Sequence, residues 1–580
     1  MISGLTLRPH HPATGPRRRR SIRLALLLTG LLVGSSLWWS GASTLASSVS
    51  GVTVRLTTPA AGASGVDYRV YFTLTSTLPK NGSITVTAPV GTSFASLQSS
   101  EVLDLPAAQN ISVCCQAVSN GDRTINMPVS GAPTGERLEV LLADVANPTA
   151  PSSTEHLTVF TSADHTPATS TAYAVIPAKH ISTPTVTLTS PASRASGVDY
   201  RVTFDLSSTG ALTGTQDSIT VTAPSGTSFA SSRGQVIDKI DGRDVTVCCQ
   251  NVSSNGLTIT TAVKGAQAGD QVTLILHDVQ NPSVLASTDR LKVSTSSDYT
   301  PVSSGTYAIL SAHKITSPVV SLTTAAAGAT GVDYRLTFNL STTGALSGTQ
   351  DTITVTAPPG TSFGGAQGQV LDDTRDATDI TFCCQSIGNG NSTINVGLGG
   401  AAAGDQLTVI LHDVTNPSGP ATGKRLMVST SSDYTPVSSS SYAIVAAHRV
   451  SKPVVKLSKS TPDASGVDYS ITFTASATGA LNGSGDSITV TAPAGTSFNS
   501  LSSDQVFDES ADDLNVATCC NAITAGGSTI RIPVQGALAG DTIQVVLHGV
   551  VNPPAPLASK TLSVVTTSDP LTAVSGSYAA

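Results

Sequence analysis

A fourfold internal repeat constrains the fold of this chain more strongly than any other feature. The tyrosine of the motif "SGVDY", or of its variant, recurs about every 134 residues, at Tyr68, Tyr200, Tyr334 and Tyr469. A period of this length indicates whole domains in tandem, because solenoid repeats span only roughly 20–45 residues. We therefore predict four domains, named repeats 1 to 4, over residues 49–178, 183–312, 317–447 and 452–580.

Within each repeat, apolar and polar residues alternate. One segment of repeat 1 has apolar side chains at every second position, at Val66, Tyr68, Val70, Phe72 and Leu74. Successive side chains of a strand point to opposite faces, so this segment buries one face and exposes the other. Turn sequences such as Asn-Pro separate about eight strands per repeat. The pattern predicts an all-β chain of four tandem antiparallel β-sandwich domains, and the short linkers predict a fairly stiff rod.

The first 46 residues have the pattern of an export segment. Residues 1–23 are basic, are predicted to be disordered and include the run from Arg17 to Arg20. An apolar run from Leu24 to Trp39 follows, and small residues lead to Ala46. This order is typical of a secretory signal, and an uncleaved anchor helix over residues 24–46 is the alternative. In both cases the remainder is exported and touches a membrane only through this segment.

The exported part is acidic. The chain has 31 Lys and Arg residues and 38 Asp and Glu residues, and its first 48 residues contain six arginines and no acid. The remainder therefore has 25 basic residues (31 minus 6) against 38 acidic ones. Because a negatively charged surface repels phosphate backbones, we predict no nucleic-acid partner.

Four motifs, each present in at least two repeats, carry a resemblance to a known group. The segments "SGVDYRV", "ITVTAP", "LHDV" and "STSSDYTPV" resemble the Ig-like β-strand repeats of large exported proteins of bacterial cell surfaces. The resemblance covers nearly everything from Val49 to Ala580. It implies Ig-like sandwich domains and export to the cell surface or the medium, and it supplies no catalytic residues. Doubled cysteines are unusual for that group.

All eight cysteines occur as adjacent pairs at the ends of predicted strands, at Cys114-Cys115, Cys248-Cys249, Cys383-Cys384 and Cys519-Cys520. Neighbouring side chains of an extended strand point to opposite faces, so a bond within a pair requires the strand to end there. Asn- and Gly-rich sequences after each pair agree with such a turn. Export favours disulfides over thiols, and we predict a vicinal disulfide in each repeat.

Three other interpretations of the cysteines stay open. Each pair could be reduced, with one thiol in the core and one outside, or could bridge neighbouring molecules. Metal binding is the least favoured, because two adjacent thiolates lack the second pair of ligands that zinc sites supply.

Two further groups of polar residues have a catalytic or metal-binding interpretation. His277, His412 and His548 lie in "LHDV" or "LHGV", but repeat 1 has Ala143 there, and we predict ordinary strand or surface roles. Acidic loops precede the cysteines, and they match no EF-hand spacing. We predict solvated loops, with calcium as the alternative, at Glu101, Asp104, Asp372, Asp373, Asp376, Asp379, Asp508, Glu509, Asp512 and Asp513.

The sequence contains no catalytic motif and no cofactor-binding motif that accompanies these residues. We therefore predict a non-enzymatic, exported structural stalk or adhesive repeat protein of the bacterial cell surface. The alternative is a carbohydrate- or protein-binding adhesin that recognises surface glycans or proteins through loops at the domain ends.

Overall fold

The computed structural model describes residues 47–348, 350–382, 384–554 and 560–578. The predicted basic N-terminus and the signal or anchor helix lie outside the described residues, and so does Cys383. The described residues form β-strands and two short 3₁₀ turns, so the prediction of an all-β chain is confirmed for them. No helix in these ranges has the length and the apolar character needed to cross a bilayer.

The strands of the first two repeats are short and follow one another in the same order. Repeat 1 contains β1 (Ser50–Leu56), β2 (Val66–Thr73), β3 (Gly82–Thr87), β4 (Ser99–Asp104), β5 (Gln109–Asn110), β6 (Ala117–Ser119), β7 (Thr124–Val129), β8 (Arg137–Val145), β9 (Ser152–Glu155), β10 (Thr158–Thr161), β11 (Ala168–Thr169) and β12 (Tyr173–Val175). Repeat 2 contains β13 (Thr185–Leu188), β14 (Val198–Asp205), β15 (Ser218–Thr222), β16 (Arg233–Asp238), β17 (Thr246–Val252), β18 (Thr258–Val263), β19 (Gln271–Val279), β20 (Ala286–Asp289), β21 (Lys292–Thr295), β22 (Val302–Ser303) and β23 (Tyr307–Ile309).

The last two repeats have the same order with one 3₁₀ turn each. Repeat 3 contains β24 (Val319–Leu322), β25 (Val332–Asn339), β26 (Asp351–Thr356), β27 (Gln367–Asp372), η1 (Asp373–Arg375), β28 (Thr378–Asp379), β29 (Ser386–Gly388), β30 (Thr393–Leu398), β31 (Gln406–Val414), β32 (Ala421–Lys424), β33 (Met427–Thr430), β34 (Val437–Ser438) and β35 (Tyr442–Ile444). Repeat 4 contains β36 (Val454–Leu457), β37 (Val467–Thr474), β38 (Ser487–Thr491), β39 (Ser503–Asp508), β40 (Leu514–Asn515), β41 (Ala522–Thr524), η2 (Ala525–Gly527), β42 (Thr529–Pro533), β43 (Thr542–Val550), β44 (Ser563–Thr566) and β45 (Ala573–Val574).

Each repeat forms two main sheets. In repeat 1 their strand orders are β1-β2-β8-β4-β5 and β11-β10-β3-β7-β6. Repeats 3 and 4 have equivalent orders, and in repeat 2 the first sheet has four strands in the order β13-β14-β19-β16. Neighbouring strands run antiparallel, with Tyr68 of β2 opposite Leu142 of β8. The same pairing places Tyr200 opposite Leu276 and Tyr334 opposite Leu411. The order of the strands along the chain differs from their order in the sheets, so the chain passes repeatedly between the two sheets of each repeat.

The inner faces of the sheets form four separate hydrophobic clusters, one within each repeat. The predicted alternation is confirmed in β2, where Val66, Tyr68 and Val70 are fully buried. The outer face departs from the prediction, because Asp67 is buried as well. This aspartate is covered by the next repeat, which the alternation of a single strand does not reveal.

A buried hydrogen-bond network joins the sheet to one loop of each repeat. The hydroxyl of Tyr334 donates to Oδ1 of Asn416 at 2.7 Å. The amide of Asn416 donates to the carbonyl oxygens of Thr324 and Ala326 at 3.1 and 2.9 Å. Equivalent tyrosine–asparagine bonds of 2.7 to 2.8 Å occur in the other repeats, at Tyr68–Asn147, Tyr200–Asn281 and Tyr469–Asn552. We name the loops held in this way, residues 57–65, 189–197, 323–331 and 458–466, the docking loops.

Replacing Tyr334 with Phe removes the hydroxyl and leaves Oδ1 of Asn416 buried without its donor. We expect a loss of about 1–3 kcal/mol in the stability of repeat 3. In urea unfolding followed by amide hydrogen exchange, the midpoint for peptides from β25 and β31 should fall by roughly 1 M. Tyr434→Phe, which removes a hydroxyl from an exposed ring of the same repeat, should leave this midpoint unchanged. Equal effects of the two variants would contradict the role of the network.

Candidate functional site: cysteine turns and repeat junctions

The alternation of an extended strand breaks at each described cysteine pair. The second cysteine has a left-handed backbone, with φ between 82° and 85°, at Cys115, Cys249, Cys384 and Cys520. This brings the two sulfurs to one side of the chain, at 2.9 Å in Cys114-Cys115, 3.1 Å in Cys248-Cys249 and 2.9 Å in Cys519-Cys520. A disulfide is about 2.05 Å long, so these are neighbouring thiols. All six side chains are exposed, and none of them lies in the core.

Flanking residues fix the cysteine turn against the neighbouring strand. In repeat 2, Thr246 accepts a hydrogen bond from the backbone N–H of Val236 at 2.7 Å. Gln250, which follows the cysteines, accepts from the N–H of Gly234 at 2.8 Å and donates to the carbonyl of Ser232 at 2.8 Å. Gln385 makes the corresponding bonds in repeat 3. The residue after each pair is thus an anchor of the turn, a role that sequence reasoning missed although "CCQ" recurs in three repeats.

The thiols have no sign of activation. The hydrogen bond with Cys114 raises the pKa of Cys115, and the corresponding contacts raise the pKa of Cys249 and Cys520. A nucleophilic cysteine needs a lowered pKa, because the thiolate is the reactive form. The arrangement therefore suits closure of a disulfide by an external oxidant better than catalysis by a resident thiolate.

The histidines of "LHDV" and "LHGV" do not pair with the aspartate that follows them. Nδ1 of His277 lies 3.0 Å from Asp199, and Nδ1 of His412 lies 3.0 Å from Asp333. His548 and Asp468 form the corresponding pair at 2.8 Å. The hydrogen bond with Asp333 raises the pKa of His412. Each histidine thus bridges two adjacent strands of one sheet, which is the strand role that the sequence predicts.

The acidic loops are only partly solvated. Asp376, Asp379, Glu509, Asp512 and Asp513 are exposed, as predicted. The prediction is wrong for Asp104, Asp372 and Asp508, which are buried. Asp372 caps η1 by accepting from the N–H of Thr374 at 3.1 Å, and Asp508 accepts from the N–H of Ser510 at 2.9 Å. These carboxylates satisfy backbone groups at the ends of strands, and no set of three or more metal-binding side chains gathers among the described residues.

The docking loop of each repeat contacts the repeat that follows it. We name the segments it contacts, residues 209–217, 343–351 and 478–486, the receiving loops. A hydroxyl of the docking loop donates to a carbonyl of the receiving loop in each case, from Thr58 to Thr209, Ser190 to Thr343 and Thr324 to Thr478, at 2.5 to 2.8 Å. A backbone N–H also crosses each junction, from Ser64 to Ser296, Ser196 to Ser431 and Thr330 to Thr567, at 3.0 to 3.1 Å.

Glycines allow the two loops to approach closely. A Cβ atom on Gly348 of the receiving loop would overlap the carbonyl oxygen of Gly197. Gly214 has the same relation to Gly65, and Gly483 to Gly331. Three junctions therefore share one hydroxyl bond, one backbone bond and one glycine contact, which set consecutive repeats in equivalent positions.

Comparison with known proteins gives no assignment. No family model and no curated protein matches the chain. A solved structure of the C-terminal domain of the antigen I/II-family protein AspA from Streptococcus pyogenes is 11% identical, with a TM-score of 0.20, and the match covers 45% of this chain and 98% of that one. For serine-rich repeat protein Srr2 of Streptococcus agalactiae the identity is 9%, the TM-score 0.17, and the coverage 46% and 93%.

A third structure, the FN1–FN3 domains of chicken CNTN1, is 10% identical with a TM-score of 0.18, and the match covers 69% of this chain and 99% of that one. Two of these three structures come from streptococci and one from chicken. TM-scores near 0.2 support no conclusion about partner or activity.

Gly348→Ala places a methyl group where the docking loop of repeat 2 passes. Overpacking of this kind costs about 1–3 kcal/mol, which corresponds to a factor of roughly 5 to 150 in the closing of the second junction. We expect faster hydrogen exchange at the amide of Ser196, with the amides of Ser64 and Thr330 unaffected. Gly365→Ala is the matched control, since a Cβ there meets nothing within 4 Å. Unchanged exchange at Ser196 would contradict the close contact.

Proposed function

We propose that this protein is an exported, non-enzymatic structural or adhesive repeat protein of a bacterial cell surface, built from four Ig-like β-sandwich domains in series. The observation that carries the proposal is the repetition of the same junction contacts three times. Directly docked domains keep a fixed spacing, whereas flexible linkers would let them move independently. Such a series holds one end away from the other, which is the task of a stalk.

Separate hydrophobic clusters support the division into four domains. The clusters of repeats 1 to 4 draw their buried residues from one repeat each. Domains of about 130 residues are of ordinary size and bury enough surface to fold as units. Export rests on the basic and apolar N-terminal sequence, and the cell-surface setting rests on the resemblance of the repeats.

An adhesive role is the second candidate, because the second junction contains a pocket of about 430 Å³. Arg233 of repeat 2 and Asp351, Phe382 and Cys384 of repeat 3 line it. Phe382 is 54% exposed and gives this pocket an apolar wall. Pockets with an aromatic wall and few charged groups at domain boundaries are the common form of ligand sites.

Small-angle X-ray scattering of the secreted protein at pH 5 tests the stalk. Four domains about 36 Å across, placed in series, should give a maximum dimension of about 150 Å. One globule of the same mass would measure only about 60 Å, and that result would exclude a stalk.

Glycan and matrix-protein arrays separate the structural from the adhesive role. Saturable binding by the protein that is lost in Phe382→Ala, with unchanged scattering, identifies an adhesin. No binding on any array favours the structural role.

We further propose that the cysteine pairs are closed as vicinal disulfides in the exported protein. The sulfurs of the three fully described pairs are already neighbours, and the left-handed second cysteine supplies the bend that the ring needs. Closure transfers two electrons and two protons per pair to an oxidant, such as a disulfide-bearing protein of the export compartment. The bond would lock the turn between the two sheets.

Intact-mass measurement of the exported protein tests this closure. Four disulfides lower the mass by about 8 Da relative to the reduced chain, because each bond removes two hydrogens. We expect no reaction with an alkylating agent until a reductant is added, and a monomer on a non-reducing gel. Alkylation of all eight thiols without reductant would refute the closed pairs, and a reducible dimer would indicate bridges between molecules.

A further inference from the structure

Each of the three junctions places two aspartates of one repeat near a buried aspartate of the next repeat. At the first junction, Asp67 and Asp144 belong to repeat 1, and Asp217 ends the receiving loop of repeat 2. Asp67 accepts hydrogen bonds from the N–H and the hydroxyl of Thr215 at 3.3 and 3.0 Å across the junction. Asp217 accepts from the N–H of Gly214 at 2.6 Å and is 1% exposed. It therefore lies buried where the two loops are in closest contact.

The other two junctions have the same set. Asp199 and Asp278 lie close enough to Asp351 at the second junction to raise its pKa by charge repulsion, and Asp333 and Asp413 do the same to Asp486 at the third. Asp351 and Asp486 are each 2% exposed. We name Asp217, Asp351 and Asp486 the socket aspartates.

The three aspartates are present together at the junctions, but they are not part of every repeat. Among the described residues no docking loop contacts repeat 1, and Gly82 stands where the socket aspartate stands in the others. Repeat 4 also lacks part of the set. There Gly549 replaces Asp144 and its equivalents, and Lys459 replaces the hydroxyl residue that donates across the junctions. The complete set thus occurs only where two repeats meet, which ties it to the contact between them.

The basic groups nearby are occupied elsewhere. His277 pairs with Asp199, and Arg233 lies 3.6 Å from Asp278. At the third junction, His412 pairs with Asp333, and Arg531 donates to the hydroxyl of Ser487. The first junction has Ala143 at the histidine position. In the described part of the chain, none of the ion pairs includes a socket aspartate.

A buried carboxylate next to two others is costly to ionise. Burial is the largest cause, and the facing aspartates of the preceding repeat add to it. Hydrogen bonds from the adjacent glycine N–H and from a hydroxyl such as that of Ser296 offset part of the effect. The net effect of burial, nearby carboxylates and hydrogen bonds is to raise the pKa of Asp217, Asp351 and Asp486 to about 7 in each case.

We propose that each junction takes up one proton on its socket aspartate when two repeats dock, so that the junctions are closed in acid and open more readily as the pH rises. The proton comes from solvent and converts the carboxylate to a neutral carboxyl group. This goes beyond the proposed function, because it concerns the contacts between repeats whether the protein is a stalk or an adhesin. It makes the stiffness of the series depend on the surrounding pH.

The direction follows from proton linkage. Opening the junction exposes the socket aspartate to solvent and takes away the two nearby carboxylates, so its pKa falls toward the ordinary value of about 4. Between about pH 4 and 7 the closed junction holds a proton that the open junction has lost. The equilibrium constant for closing therefore falls about tenfold for each unit by which the pH rises. Above pH 7 both states are ionised and the dependence ends. The full change is roughly a thousandfold for each junction.

Hydrogen exchange at the amides that cross the junctions measures this opening. Ser64, Ser196 and Thr330 donate their N–H groups to the next repeat, and these bonds exist only when the junction is closed. In the protein, their protection factors, corrected for the intrinsic rate at each pH, should fall about tenfold per unit from pH 4 to 7. Amides of the β25–β31 pair should keep constant protection. Constant protection at all three junction amides would overturn the proposal.

Two variants separate the proton from other causes. Asp351→Asn is a neutral isostere, and it should remove the pH dependence at Ser196 while Ser64 and Thr330 retain theirs. Asp413→Asn removes one charge near Asp486, at a left-handed position that Asn tolerates. The pKa of Asp486 then falls, so the decrease in protection of the Thr330 amide should end at a lower pH. Loss of protection at the β25–β31 amides would show that Asp351→Asn disturbs repeat 3. In that case the pH dependence of exchange in the wild-type protein and in Asp413→Asn tests the proposal. Persistent dependence at Ser196 in a folded Asp351→Asn protein would overturn the proposal.

Calcium is the competing means of neutralising the carboxylates. The same exchange experiment at pH 8 is run with 2 mM CaCl₂ and with a chelator. The proposal predicts equal protection in the two samples. Restored protection at all three junction amides in calcium would overturn it and assign the neutralising role to a metal ion.

Discussion

The hydrogen bond between a buried tyrosine hydroxyl and a buried asparagine underlies the arrangement of the whole protein. The asparagine amide holds two carbonyls of the docking loop, and that loop makes the hydroxyl bond and the backbone bond that recur at the three junctions. Core and junction are therefore one connected system: the apolar cluster fixes Tyr334, Tyr334 fixes Asn416, and Asn416 fixes the loop that reaches repeat 4. A defect in the core of one repeat is transmitted to its contact with the next.

The strands were predictable because the alternation of apolar and polar residues shows which side of a strand faces the apolar core. It does not report what covers the other side. Asp67, Asp199 and Asp333 fall on the polar face, yet they are buried. The same limit applies to Asp372 and Asp508, whose acidic neighbourhood is typical of a solvated loop although both satisfy backbone groups at a strand end. Polar residues in repeat proteins thus need both the repeat and its neighbour for their interpretation.

The cysteine turns and the asparagines show a different limit. The sequence indicates that the strand must bend at each pair, and the left-handed second cysteine does so. The anchoring by Gln250 and Gln385 depends on which strand lies alongside, and a single chain pattern does not contain that information. Likewise, Asn-Pro reads as the end of a strand, whereas Asn147 also makes the bond on which its loop depends. The recurrence of these residues from repeat to repeat was the only indication in the sequence that they have a structural role.

The end repeats differ from the middle ones in a way that limits assembly. Repeat 1 has Gly82 in place of a socket aspartate, and repeat 4 has Lys459 and Gly549 in place of a hydroxyl and a carboxylate. Two copies placed end to end therefore lack the complementary pair of surfaces that joins consecutive repeats. Growth of filaments from copies of this sequence by the same contacts is therefore disfavoured.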